Sequence, residues 1–116
     1  MRYLALIYSA ESDPSTVPPE QLDTILNAYN EFTASAREAG VMLAGEALQP
    51  TSAATTVRVR DGHTATTDGP FAETREALGG FYMFECRDLD QAISWASRIP
   101  GAAFGSVEIR PILELG

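Results

Sequence analysis

The sequence predicts an α+β fold, an antiparallel sheet with two helices packed on one face. Three observations predict it. Apolar residues switch between a period near two and a period near 3.6, in the order strand, helix, strand, hairpin, strand, helix, strand. Each helical stretch lies between two strand-like stretches, so the chain is two strand–helix–strand units in tandem. An Asp-Gly pair between two β-branched runs marks a hairpin inserted between the units.

The elements follow in order. "RYLALIYS" (Arg2–Ser9) is an apolar run too short for a helix and reads as a strand with both faces buried. "AESDPSTVPP", rich in Ser, Pro and acid, is a loop. Pro19 suits a first helical turn, where its missing N–H costs nothing. From there Leu22, Ile25, Leu26, Tyr29, Phe32, Ala36 and Ala39 recur at steps of three and four, one apolar stripe closed by Gly40. "VMLAGEALQP" (Val41–Pro50) reads as the second strand. Asp61-Gly62 then joins Thr55–Arg60 to His63–Thr67 through a turn that needs positive φ twice. "GFYMFECR" (Gly80–Arg87) is the next strand. In "DLDQAISWASRIPG", Asp88 is an N-cap with Gln91 three residues on. Leu89, Ala92, Ile93 and Ala96 form that helix's stripe, Trp95 is a packing residue, and Pro100-Gly101 ends the segment. "SVEIRPILEL" (Ser106–Leu115) is the last strand. The sum is a ferredoxin-like sandwich with a hairpin insertion, one domain over residues 1–116.

Such a sheet has a second face. Tyr3, Ala5 and Ile7 point to one side of the first strand, and Leu4, Leu6 and Tyr8 to the other. Phe81 and Met83 alternate with Tyr82 and Phe84 in the same way. A sheet apolar on both faces wants a second layer, and the chain has no third helix to supply it. A homodimer packed sheet to sheet is expected; a bound ligand or the 61–79 segment folded over are the other covers.

Composition narrows the function classes. Eight basic residues, all Arg, against sixteen acidic ones give a formal net charge of −8. Phosphate backbones and anionic membranes repel such a surface, so neither nucleic acid nor membrane is an expected partner. No apolar run approaches the ~20 residues of a membrane span, and the N-terminus reads as a strand, not a signal peptide. A single Cys86 excludes an internal disulfide and suits a reducing, cytoplasmic setting. Its strand context marks a buried, inert thiol. One His and one Cys without ligand spacing give no zinc site. "LGGF" lacks the Lys and the helix opening of a phosphate loop. No metal or cofactor is expected.

The stretch "DGPFAETRE" (Asp68–Glu76) resembles the signature of the YCII-related family, in the branch named for its Asp-Gly-Pro-Phe tetrapeptide. "MRYLALIYS", "FTASAREAGVMLAGEALQP", "TTVRVRDG", "LGGFYMFECRDLDQAISWA" and "VEIRP" are similar to that branch in register around it, with Arg75 where the family usually has Lys. The resemblance implies a subunit of the dimeric α+β barrel superfamily. Some relatives are similar to dehydrochlorinases acting on chlorinated hydroquinones, thought to use a His–Asp pair with the His on the first helix. Here the corresponding stretch, "LNAYNEF" (Leu26–Phe32), has Ala28 and Tyr29 and no His. Members of the branch also often lie beside genes for alternative sigma factors, which implies regulation.

The candidate residues carry paired readings. Asp68 either locks the Asp-Gly-Pro turn through backbone N–H groups or serves as a proton acceptor beside apolar Phe71. Glu73, Arg75 and Glu76 either form an ordering ion pair or line a cleft, with Arg75 gripping a carboxylate and Thr74 adding a hydroxyl. Glu46, inside a mostly apolar strand, faces solvent or a polar pocket that Tyr8 reaches. His63 either faces solvent from its hairpin turn, the favoured reading, or serves as a general base suited to pH 7.

The leading expectation is a homodimeric protein that binds a small organic ligand near the signature loop. Tyr8, Glu46, Asp68, Phe71, Glu73, Thr74 and Arg75 are its candidate lining. A lyase or dehydrochlorinase-like enzyme on a cyclic or aromatic substrate, with Asp68 as base, is the second reading. A regulatory partner-binding module tied to sigma-factor control is the third.

Overall fold

The computed structural model describes residues 1–12 and 14–115. Asp13, in the loop expected at 10–19, lies outside them. The elements are β1 (Arg2–Ser9), α1 (Pro19–Glu38), β2 (Met42–Ala47), β3 (Thr55–Arg60), β4 (His63–Asp68), β5 (Ala77–Glu85), α2 (Leu89–Ala96) and β6 (Ser106–Pro111). Short 3-10 turns occupy Pro14–Thr16, Thr51–Ala53 and Pro100–Ala103. One sheet has the order β2-β5-β1-β6, and β3 and β4 form a second, two-stranded sheet. Every neighbouring pair is antiparallel. This is the ferredoxin-like sandwich with its inserted hairpin.

The side-chain alternation of β1 sets the two faces. Tyr3, Ala5 and Ile7 are buried, whereas Leu4, Leu6 and Tyr8 are half-exposed. The buried set joins Tyr82 and Phe84 from β5 and Phe32 and Ala36 from α1 in one core. Phe32 sits edge-on to Tyr82, centroids 5.1 Å apart, and Tyr82 stacks on Phe84 at 5.8 Å. Gly45 of β2 makes room for this: a Cβ there would fall 2.5 Å from the Tyr82 ring.

Helix α1 opens with Pro19 at its first turn and closes at Gly40, whose φ is +73°. The expected stripe is only partly buried. Phe32 and Ala36 reach the core, while Leu22 and Leu26 are exposed. The N-terminal half of the helix stands over a cleft instead of over the sheet. Helix α2 starts at Asp88, whose Oδ1 accepts from the Gln91 N–H at 2.9 Å. Gln91 Oε1 in turn accepts from the Arg87 N–H at 2.8 Å, a variant of the expected capping box. Ala92 and Ala96 are its buried residues. Leu89 and Ile93, expected on the same stripe, are each 48% exposed. The two alanines bring the short helix close, and Trp95 turns in against Phe32 at 6.1 Å.

Strand ends differ from the sequence reading. β2 ends at Ala47, and one further bond in the same register, from the Leu48 N–H to the Gly79 carbonyl of β5 at 2.9 Å, follows before the chain turns at Thr51–Ala53. β5 begins three residues early, where Ala77 and Leu78 pair with Ser9 and Tyr8 across a bulge. β6 ends at Pro111 on the sheet edge, where a missing N–H is tolerated, and the Ile112 N–H still donates to the Arg2 carbonyl at 3.0 Å. At the hairpin turn Asp61 has φ 51° and Gly62 φ 76°, the two left-handed residues of a type I′ turn. No helix among the described residues is long and apolar enough to cross a membrane.

Phe84 is 1% exposed at the centre of the aromatic cluster. Phe84→Ala is expected to lower unfolding free energy in urea by about 3–5 kcal/mol. Asp88→Ala, which removes only a cap, should cost about 1 kcal/mol. Equal losses would place the core elsewhere.

Candidate functional site

The signature stretch leaves the hairpin at Asp68 and returns to the sheet at Ala77. Its first turn is held by backbone: the Gly69 N–H donates to the Ala54 carbonyl at 2.7 Å, and Thr56 Oγ1 donates to the Gly69 carbonyl at 2.8 Å. Gly69 has φ 98°, which favours a residue without Cβ. Asp68, the last residue of β4, lies opposite Thr55. Its carboxylate has no hydrogen-bond partner among the described residues, so the turn is not locked through it. At the other end, Thr74 Oγ1 donates to the Glu76 carbonyl at 2.6 Å, and Ser106 Oγ donates to Glu76 Oε1 at 2.9 Å. These bonds anchor the loop on β6.

Between its ends the loop faces the 3-10 turn at Thr51–Ala53 across two adjoining clefts. The larger, about 720 Å³, is lined by Tyr8, Leu48, Phe71, Thr74 and Leu78 among others. It lies at the end of the sheet where Tyr8 emerges on the half-exposed face. The smaller, about 350 Å³, takes Glu11, Glu73, Thr74 and Arg75. Thr51, Pro70, Ala72, Thr74 and Ala77 line both. Phe71 is 79% exposed, an aromatic ring with little protein against it. Neither Arg75 nor Glu73 has an ion-pair or hydrogen-bond partner among the described residues. The expected ordering ion pair is therefore not what holds the loop.

The opposite wall is fixed by Glu11. Its carboxylate accepts from the Thr51 N–H and from Thr51 Oγ1, both at 2.8 Å. These two donors hold the Glu11 carboxyl below the ordinary carboxylate range.

A third cleft of about 420 Å³ lies elsewhere, between α1 and the β2–β5 edge. Tyr29, Thr33 and Arg37 come from the helix, and Met42, Gly45 and Tyr82 from the strands. Tyr29 Oη accepts from the buried Gly101 N–H at 3.1 Å, and Thr33 Oγ1 lies 3.1 Å from Tyr82 Oη. Burial pushes the Tyr29 phenol up, so it stays protonated and its own proton is free to donate. Glu46, exposed and opposite Phe81, stands at the rim of this cleft.

The structure thus divides the sequence-derived candidates. Tyr8, Phe71, Glu73, Thr74 and Arg75 gather around the signature loop. Glu46 belongs to the helix cleft and does not share a wall with Tyr8. Asp68 lines none of the three clefts. His63 is exposed at the start of β4, opposite Arg60. Tyr29, Thr33, Arg37 and Tyr82 were not among the candidates. Their signal is the spacing of Tyr29, Thr33 and Arg37 at i, i+4 and i+8, one flank of a helix. Among the described residues no group of three or more His, Cys, Asp or Glu could hold a metal ion. Cys86 is buried, and burial pushes its thiol up.

With this geometry in place, the chain can be set beside known proteins. The YCII-related domain matches residues 1–116. The chain belongs to the YCII-related family. A YCII-related chain of this kind has an uncharacterised relative in Rhizobium meliloti (strain 1021), 38% identical over 114 residues, 97% of this chain and 92% of that protein. Among solved structures it is similar to 5-chloro-2-hydroxyhydroquinone dehydrochlorinase of Burkholderia phenoliruptrix AC1100, in complex with 2,5-dihydroxybenzoquinone. The TM-score is 0.51 over 97% of this chain and 94% of that one, at 12% identity, a likeness of fold.

The Glu11 latch on the loop cleft is testable. Glu11→Ala should speed exchange of the Thr51 amide at pH 7. In the unchanged protein the same loosening should come only as pH falls through the lowered Glu11 value, because a depressed carboxyl pKa stabilises above it and not below. An amide that exchanges alike in both proteins would show that Glu11 does not hold this wall.

Proposed function

We propose that this YCII-related protein is a homodimeric small-molecule-binding protein whose ligand is a small aromatic or cyclic anion held at the signature loop. The observation that carries the reading is the pairing of the two loop clefts. One is broad and walled by Tyr8, Leu48, Phe71 and Leu78; the other, sharing the Thr74 wall, presents Arg75, which has no partner among the described residues. A planar apolar body fits the first, and a carboxylate or phenolate fits the guanidinium of the second. A second subunit on the half-exposed sheet face would adjoin the larger cleft at Tyr8 and dry it.

The lyase reading draws on the fold shared with a dehydrochlorinase described in complex with 2,5-dihydroxybenzoquinone. The helix cleft offers phenols and a guanidinium, with Glu46 at its rim and no imidazole. Asp68, the candidate base, stands outside all three clefts. Binding is the reading these positions support.

Titration calorimetry and thermal shift against benzoate, hydroxybenzoates and 2,5-dihydroxybenzoquinone test it. A ligand that binds the folded state raises the midpoint. Arg75→Ala should weaken an anionic ligand roughly tenfold, about 1.4 kcal/mol, and Phe71→Ala should weaken it several-fold. No shift with any of these compounds, or unchanged affinity in both variants, would overturn the assignment.

A further inference from the structure

Among the described residues, the β3–β4 hairpin is a separate two-stranded sheet with no strand of the larger sheet paired to it. All six residues of β4 are exposed, and Val57 and Val59 of β3 are 60% and 57% exposed. A two-stranded ribbon alone in water is marginally stable at best. The register makes this ribbon two-faced. Val57 lies opposite Thr66, Val59 opposite Thr64, and Thr55 opposite Asp68, so one face is β-branched and uncharged except at its root. Arg58 lies opposite Ala65 and Arg60 opposite His63, so the other face carries the basic groups. Alternation of this kind belongs to a ribbon with one face covered.

The dimensions agree. The chain measures 47 × 46 × 19 Å with a radius of gyration of 16.3 Å, where a compact domain of this length has about 13 Å. The excess lies in a shape extended in two directions and thin in the third. Such a shape leaves uncovered both the ribbon and the sheet face bearing Leu4, Leu6, Phe81 and Met83.

We infer that the hairpin is an arm that grips a second copy of this chain, its Val57, Val59, Thr64 and Thr66 face lying on the apolar sheet face of the other subunit and its Arg58–Arg60–His63 face outward. This rests on the dimer reading above and names the segment that holds the dimer. Two complementary patches on one chain, ribbon and sheet face, pair twice across a twofold axis and close the assembly. Charge permits it. Within 55–68, Arg58 and Arg60 balance Asp61 and Asp68, so the net −8 of the chain resides in the remaining residues. A neutral arm therefore meets no net repulsion from an acidic body. The arm is also rooted in the ligand loop, through the Ala54–Gly69 and Thr56–Gly69 bonds.

The test uses the full chain and the double variant V57D/V59D, followed by sedimentation across a dilution series and by amide exchange. Both side chains are exposed in the single chain, so the variant should keep the far-ultraviolet spectrum of the unchanged protein. The expected result is a dissociation constant raised at least tenfold. In the unchanged protein, amides of 55–68 should exchange faster as dilution dissociates the dimer. If the unchanged protein is a dimer, and the variant dimerises as tightly with the ribbon amides indifferent to dilution, the arm is refuted and the dimer stands. An unchanged protein that is monomeric at every concentration refutes both. Should V57D/V59D fail to fold, the dilution dependence of amide exchange in the unchanged protein decides alone.

Discussion

Two helices on one face of a four-stranded sheet close only one layer, and the rest of the molecule follows from that constraint. The closed layer is held by the stack of Phe32, Tyr82 and Phe84, with Gly45 leaving room for the Tyr82 ring. Among the described residues, Tyr3, Phe84 and Ile99 are the larger side chains with 2% exposure or less. The other face, where Leu4, Leu6, Phe81 and Met83 stand half-exposed, and the ribbon carry apolar surface outside that core.

Much of this was legible in the residues. Strand periodicity divided Tyr3, Ala5 and Ile7 from Leu4, Leu6 and Tyr8 correctly, because a period of two leaves no choice of face. Asp61-Gly62 fixed the hairpin because few other pairs accept positive φ twice. The helical stripes were less informative. Leu22, Leu26, Leu89 and Ile93 have the spacing of core residues, yet spacing reports which side of a helix they share, not whether anything packs there. Strand ends shifted where a bulge or a 3-10 turn intervened, both backbone effects that a local pattern does not carry.

The functional loop divides the same way. Its turn chemistry was readable, with Gly69 in the left-handed region. Which groups would hold it was not. Bonds from Thr56 and Ser106, distant in sequence from the groups they meet, perform the roles that Asp68 and an Arg75 ion pair were expected to perform. Arg75 has no partner among the described residues, and Glu11 fixes the facing wall from an unrelated loop. Nothing local links Glu11 to Thr51, since their pairing exists only once the sheet has formed. The helix cleft escaped notice because Tyr29 reads equally well as one more apolar position in a stripe.

The larger loop cleft touches the half-exposed sheet face at Tyr8 and the root of the ribbon at Ala54, so in the proposed dimer a second subunit there would adjoin all three. Sedimentation equilibrium of the unaltered chain at micromolar concentration measures this most directly. A mass near twice 12.5 kDa is the predicted result. A single species at 12.5 kDa across the whole range would contradict the account.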